Sequence, residues 1–153
     1  MIGNINEHNK QEYPPMHTAE HLLNGTMARM FGCKRSRNAH IERKKSKCDY
    51  PMAQALTEEQ LAEIERVVNE QIECDLPVTM EYISAADAVG LYDLERLPDN
   101  VSAALRIVHI GDYDACPCVG AHVERTSEIG RFRISSARFQ DGMQRIVFRL
   151  DEK

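Results

Sequence analysis

Residues 14–32 read Pro-Pro-Met-His-Thr-Ala-Glu-His-Leu-Leu-Asn-Gly-Thr-Met-Ala-Arg-Met-Phe-Gly. The pattern predicts one helix. Pro14 and Pro15 suit its start, because proline presets φ and the first helical positions need no amide donor. Gly32 suits its end, where a left-handed residue is often required. Between them Ala19, Leu22, Leu23, Thr26, Met27, Met30 and Phe31 recur at three- and four-residue spacing, the stripe of a core-facing helix. His17 and His21 fall off that stripe. At about 100° per residue their side chains sit about 40° apart, one turn above the other. Their neighbours on that side, Asn24, Gly25 and Ala28, are small or polar. The expectation is a helix anchored by one face that presents two stacked imidazoles on another, within reach of one metal ion.

Outward from this helix, residues 1–13 are polar and without period, which predicts a flexible tail ahead of one domain over 14–153. Residues 38–50 are expected as a strand. A second long helix starts at Thr57, where Thr57 and Gln60 make a capping-box pattern and Glu58 and Glu59 favour the positive helix end. Leu61, Ile64, Val68 and Ile72 supply its buried stripe, and Pro77 ends it. Residues 78–83 read as a strand. Ser84 and Asp87 are expected to cap a short helix ending at Gly90, and residues 92–102 read as a loop. Leu105 to Ile110 is a β-branched, apolar run that suits a buried strand. At the end of the chain Phe132, Ile134, Ile146, Phe148 and Leu150 face one way and arginines the other, with Asp141-Gly142 as the hairpin turn. These elements predict an α+β fold, a mainly antiparallel sheet packed against two long helices.

The composition is that of a globular chain, 42% hydrophobic and 28% charged. No apolar run is long enough to span a bilayer, and the N-terminus lacks the basic and apolar regions of a signal peptide. Cys33, Cys48, Cys74, Cys116 and Cys118 form an odd set without a dense disulfide framework, which predicts a reducing, cytoplasmic setting. The net charge of −5 argues against general nucleic-acid or DNA binding. Two local runs are nevertheless basic: Lys34, Arg35, Arg37, Arg43, Lys44, Lys45 and Lys47, then Arg125, Arg131, Arg133, Arg138, Arg145 and Arg149. A basic face on an otherwise acidic protein is expected.

The segment 111–123 reads Gly-Asp-Tyr-Asp-Ala-Cys-Pro-Cys-Val-Gly-Ala-His-Val. Cys118 and His122 are three residues apart, with Gly120 to let the loop curl. Thiolate and imidazole together suit zinc. With His17 and His21 they complete a four-ligand set of three nitrogens and one sulfur. Cys116 is the rival thiolate; its spacing to His122 is less favourable, and a buried cysteine is often simply a small hydrophobe. His17-Thr-Ala-Glu20-His21 also matches the inverted zinc-peptidase pattern His-x-x-Glu-His. Such peptidases ordinarily complete their site with a carboxylate or histidine rather than a cysteine.

These motifs resemble those of the editing domain of alanyl-tRNA synthetase and its free-standing relatives, the alanyl-tRNA editing proteins. The resemblance is carried by His17-x-x-x-His21-Leu-Leu and Cys118-Val-Gly-Ala-His122-Val. It extends through Leu56-Thr-Glu-Glu-Gln-Leu, Val68-Asn69, Leu76-Pro77-Val78, Gly111-Asp112-Tyr113 and Glu128-Ile129-Gly130. It covers about residues 16–150, and the short stretch before His17 is similar to the short form of the family. The editing module of threonyl-tRNA synthetase is similar and shares the ligand pattern.

The resemblance implies hydrolysis of seryl- or glycyl-tRNA(Ala) at a zinc site, with tRNA as the partner and no membrane. It implies His17, His21, Cys118 and His122 as metal ligands. Glu20 and Thr18 are the candidates for catalysis, and Arg37, Lys44 and Lys45 for contact with substrate. The chain departs from the family at Val119 and Ala121, at Lys47-Cys48-Asp49-Tyr50, and at Arg37, where an amide is usual. Two alternatives stand beside this reading: threonyl-type editing of seryl-tRNA(Thr), and a zinc-stabilised RNA-binding module without catalysis.

Overall fold

The computed structural model describes residues 13–36, 38–89, 91–92 and 104–151. Helix α1 spans Pro14–Phe31 with proline at its first positions, and Gly32 closes it at φ 70°. Residues 1–12 of the expected tail lie outside the described residues. Tyr13 is the N-cap of α1, its ring under the Arg43 guanidinium at 4.6 Å. Helix α1 differs from expectation in its surroundings. Thr18, His21, Asn24, Gly25 and Thr26 are buried along with Met16, Leu22, Leu23 and Met27. The histidine side is therefore enclosed rather than presented to solvent, because another layer of the fold packs on it.

The class is as expected: α+β, antiparallel strands and two long helices, with the strands divided between two sheets. One has four strands in the order β1-β2-β7-β6, and the other three in the order β3-β4-β5. The strand expected over 38–50 is a hairpin, β1 (Asn38–His40) and β2 (Ser46–Pro51), with Ala39 opposite Cys48. The Ser46 hydroxyl closes its turn, accepting from the Glu42 amide at 2.9 Å and donating to the Glu42 carbonyl at 3.1 Å. Helix α2 (Glu58–Glu73) begins with the expected reciprocal cap between Thr57 and Gln60. Strand β3 (Val78–Ser84) leads into the single turn α3 (Ala85–Ala88), capped by Ser84. The expected helix end at Gly90 and most of the expected loop 92–102 lie outside the described residues. Strands β4 (Ala104–Ile110) and β5 (Asp114–Pro117) follow, then a 3₁₀ turn at Thr126–Ile129. Strands β6 (Arg131–Gln140) and β7 (Met143–Asp151) form the closing hairpin. Its turn places Asp141 at φ 53° and Gly142 at φ 76°, the paired left-handed conformation that a two-residue hairpin loop requires.

Cys48, Tyr50, Phe132, Ile146 and Phe148 line the inner face of the four-stranded sheet. They share one core with Leu22, Leu23 and Met27 of α1 and with Ile64, Val68 and Ile72 of α2. Strand β6 is an edge, and α2 satisfies its outward backbone groups. The Asn69 amide accepts from the Phe132 N–H at 2.8 Å and donates to the Phe132 carbonyl at 2.9 Å. Glu65 accepts from the Ile134 N–H at 2.8 Å. An edge paired this way offers no template to another strand.

The three-stranded sheet is tied to α2 by Thr126, whose hydroxyl accepts from the Leu76 amide at 2.8 Å and reaches the Gln71 carbonyl at 2.9 Å. It is tied to α1 through β5. The Tyr113 hydroxyl shares a 2.6 Å hydrogen bond with Thr26, and Arg29 lies 4.3 Å over the Tyr113 ring. This docking of β5 encloses the histidine side of α1. Among the described residues no helix is long and apolar enough to cross a membrane.

Candidate metal centre

Helix α1 contributes His17 and His21, one turn apart. The segment after β5 contributes Cys118 and His122. Donor atoms of all four lie within 4.8 Å of one another. The expected set is thus assembled across about a hundred residues of chain. His17 and His122 stack with ring centroids 4.1 Å apart, and His21 stands edge-on to both, at 5.0 and 4.5 Å.

Hydrogen bonds hold two of the imidazoles in place. A carbonyl can only accept, so His17 Nδ1 donates to Ala121 O at 3.1 Å, and its Nε2 lies 3.3 Å from Cys118 Sγ. His122 Nδ1 shares a 2.9 Å hydrogen bond with the Thr18 hydroxyl, which accepts from the Val123 amide at 3.2 Å. His122 Nε2 is buried and has no hydrogen-bond partner. A buried polar atom without a partner is costly. Here it points into a cluster of two further imidazoles and a thiol, so the donors present fit a tetrahedral nitrogen–sulfur metal site.

Electrostatics favour a deprotonated sulfur. Burial pushes the Cys118 thiol up, but His122, His17 and His21 around it dominate and bring its pKa to about 3. The Gly120 amide donates to the same sulfur at 3.5 Å. Burial likewise holds His122 below the usual histidine value. Arg106 on β4 clamps the loop from below: its Nε donates to Cys118 O at 2.8 Å and its Nη2 to Gly120 O.

Cys116, the rival thiol, is 4% exposed and belongs to a different trio. With His21 and Asp114 it makes a second group whose donor atoms lie within 4.8 Å of one another. His21 Nδ1 is 3.4 Å from Cys116 Sγ and 3.6 Å from Asp114 Oδ2, while its Nε2 is 3.8 Å from Glu20 Oε1. Asp114 is itself held by Arg35 through two bonds, of 2.7 and 3.1 Å. Burial opposes ionisation of Asp114, but His21 and Arg35 beside it hold its carboxyl below the ordinary value.

Of the candidates for catalysis, Glu20 is at the centre and Thr18 is committed elsewhere. The Glu20 carboxylate, 12% exposed, accepts from Asn24 Nδ2 at 2.6 Å. The Asn24 oxygen in turn accepts from the buried Tyr50 hydroxyl at 2.6 Å and from the Ser36 amide at 3.3 Å. Thr18 is fully buried between His122 and Val123 and holds that imidazole.

Of the expected substrate contacts, Arg37 lies outside the described residues. Lys44 and Lys45 are exposed in the β1–β2 turn. Lys45 lines a cleft of about 340 Å³ on the outer face of the four-stranded sheet, together with Lys47, Arg138 and Arg145. The two basic runs therefore meet there. Sequence reasoning missed Asp114, Arg35 and Arg106. None stands at a diagnostic spacing from a residue of the cluster, and only the packing of β4 and β5 brings them to the centre.

Residues 105–147 match the family described as the second additional domain of threonyl and alanyl tRNA synthetases. The chain is also similar to alanine–tRNA ligases. It is 31% identical over 144 residues to that of Pseudoalteromonas translucida, covering 93% of this chain and 17% of the ligase. For Treponema denticola the identity is 32% over 146 residues, covering 94% and 24%. For Halorubrum lacusprofundi it is 32% over 150 residues, covering 95% and 16%. The chain thus spans between about a sixth and a quarter of the length of these curated relatives. By the matched segment 105–147 and by similarity along nearly its whole length, this chain is related to the second additional domain of threonyl and alanyl tRNA synthetases.

Proposed function

We propose that the chain is a hydrolase that removes a wrongly attached amino acid from tRNA, with seryl- and glycyl-tRNA(Ala) as substrates and zinc as its metal. The observation that carries this reading is the cluster of His17, His21, Cys118 and His122, with the buried, unpartnered Nε2 of His122 aimed into it, in a chain similar to alanine–tRNA ligases. A bound zinc supplies an electrophilic centre that orients or polarises a ligand.

The chain's own residues supply the rest. Glu20 presents a carboxylate beside His21, held by Asn24. It is placed to accept a proton from the attacking water as the ester carbon is attacked, and to return it to the leaving ribose oxygen. Thr18 and Arg106 hold the ligand loop. An aminoacyl ester is already activated, so orientation and one proton acceptor suffice. The basic cleft at Lys45, Lys47 and Arg138 meets RNA phosphates.

Selectivity against alanine follows from polarity rather than size. A methyl group is worth only about 1–3 kcal/mol in a pocket, whereas groups that bond the serine hydroxyl are left unpaired by alanine. Deacylation by the purified chain tests the reading. Seryl- and glycyl-tRNA(Ala) are expected to turn over and alanyl-tRNA(Ala) to survive. Preference for seryl-tRNA(Thr) would make the activity of the threonyl type. Binding of tRNA without turnover of any ester would make the chain an RNA-binding module.

A further inference from the structure

The imidazole of His21 has neighbours on both of its nitrogens. Nε2 faces the Glu20 side of the centre, at 3.8 Å from that carboxylate. Nδ1 faces β5, with Asp114 Oδ2 at 3.6 Å and Cys116 Sγ at 3.4 Å. Of these two, the carboxylate is the stronger acceptor, since an ionised partner bonds about twice as strongly as a neutral one and a thiol is weak. Asp114 is not a surface acid that happens to lie nearby. Its side chain is 6% exposed, and Arg35, itself 20% exposed, grips both of its oxygens. Gly25 on α1 makes the room for it. A Cβ there would lie 3.2 Å from Asp114 Oδ1 and 3.3 Å from the Tyr113 ring.

We propose that Asp114, clamped by Arg35 and admitted by Gly25, is a positioning residue that holds the Nδ1–H of His21 and so presents Nε2 to the metal. The proposal rests on the metal reading of the four-residue cluster. Metal-bound histidines commonly donate their other N–H to a carboxylate, which fixes tautomer and ring orientation and raises ligand basicity. The bidentate pair suits that task. Arg35 occupies one side of the carboxylate and leaves the Oδ2 edge turned toward the ring. It also opposes a second cation in the His21–Asp114–Cys116 trio, because the guanidinium already neutralises the only carboxylate there.

The roles of Asp114 and Cys116 separate by experiment. Zinc affinity is measured by chelator competition on the full chain and on Asp114→Asn, Gly25→Ala and Cys116→Ala, together with the melting temperature of each metal-free form. Asp114→Asn is expected to weaken zinc about tenfold to a hundredfold. Gly25→Ala, which keeps the carboxylate but displaces it, is expected to weaken zinc by less, and Cys116→Ala to leave the affinity unchanged. Nitrogen-15 shifts of the imidazoles in the zinc-loaded wild-type chain give a readout that a merely structural role would not move. They are expected to show His21 protonated at Nδ1 and metallated at Nε2. Wild-type affinity in Asp114→Asn, or metal on Nδ1, would overturn the proposal while sparing the metal reading. Equal losses in Cys116→Ala and Asp114→Asn, or two zinc ions per chain, would overturn it in favour of a second site. A wild-type chain that binds no zinc would overturn both.

Discussion

A carboxylate can act beside a metal ligand only if something holds it out of the ligand shell, and Glu20 is held by Asn24 at 2.6 Å. Replacing Glu20 by Gln keeps the shape and the bond-forming ability but removes the proton acceptor. The expected result is a fall in deacylation of about a hundredfold to ten-thousandfold, with zinc content unchanged by elemental analysis. Retained activity would show that proton transfer runs through another group. The pH dependence of metal uptake belongs to this scale too. In the metal-free chain burial disfavours protonated His21, but Asp114, Cys116 and Cys118 outweigh it and raise its pKa well above 6.5. A raised histidine contributes stability that is fully present below its unfolded value and is lost as pH rises through the folded one. Zinc needs the neutral ring, so it competes with that proton. Cys118, already a thiolate down to about 3, does not limit. The gain in melting temperature on adding zinc is therefore expected to be small near about pH 6 and to grow on raising the pH. A gain that shrinks as pH rises would contradict the protonated His21. The grouping of His17, His21, Cys118 and His122 was legible from sequence because each pair keeps a helix-turn or loop spacing. Asp114 was not, because its meaning lies in the contact between β5 and α1.

Among the elements, the joint between α2 and β6 turns on one amide. Asn69 satisfies both the N–H and the carbonyl of Phe132, and all three groups are buried. Asn69→Ala leaves two buried backbone groups unpaired, each costing about 1–3 kcal/mol. A loss of about 2–6 kcal/mol in urea unfolding is expected, whereas a change within the ±0.5 kcal/mol usual for surface sites would mean that water replaces the amide. The helices and the last hairpin were legible because their caps, periods and Asp-Gly turn are local chemistry. Three features were not. Strand β5 is Asp-Ala-Cys-Pro, too short for alternation and ending in proline. The stretch 38–50 reads as one strand because Ser46, which folds the turn back onto Glu42, carries no turn preference strong enough to outweigh the weak alternation around it. The enclosure of α1 was invisible because the histidine face looks polar in sequence, and only the docking of Tyr113 on Thr26 shows that polar residues can be buried when they bond one another.

At the scale of the whole molecule, charge decides how an acidic chain can hold RNA. With a net charge of −5 the protein repels a polyanion at long range, so the proposed binding of RNA requires a local concentration of cations. The fold makes one by bringing the two basic runs together. Strand β2 carries Lys47 on the outer face, directly opposite Val147 of β7, and β6 sets Arg138 beside Arg145 on the same face. Arg145 is spent on Asp49, through bonds of 2.8 and 3.0 Å, and Glu42 stands at the rim. Lys45, Lys47 and Arg138 make no ion pair among the described residues, and the proposed function assigns them to phosphates. Each phosphate contact releases counterions, so the logarithm of affinity falls with the logarithm of salt by about 0.9 per contact on a duplex. Reversing Lys45 and Arg138 to Glu is therefore expected to weaken binding of uncharged tRNA and to flatten its salt dependence by about two units. Zinc content is expected to stay the same, because neither residue touches the metal ligands. Uncharged tRNA is the right probe, since it separates holding the RNA from hydrolysing the ester. An unchanged affinity and slope would move the interface to another face of the protein. A lost affinity with an unchanged slope would point to local unfolding of the β1–β2 hairpin, which circular dichroism of the double variant distinguishes.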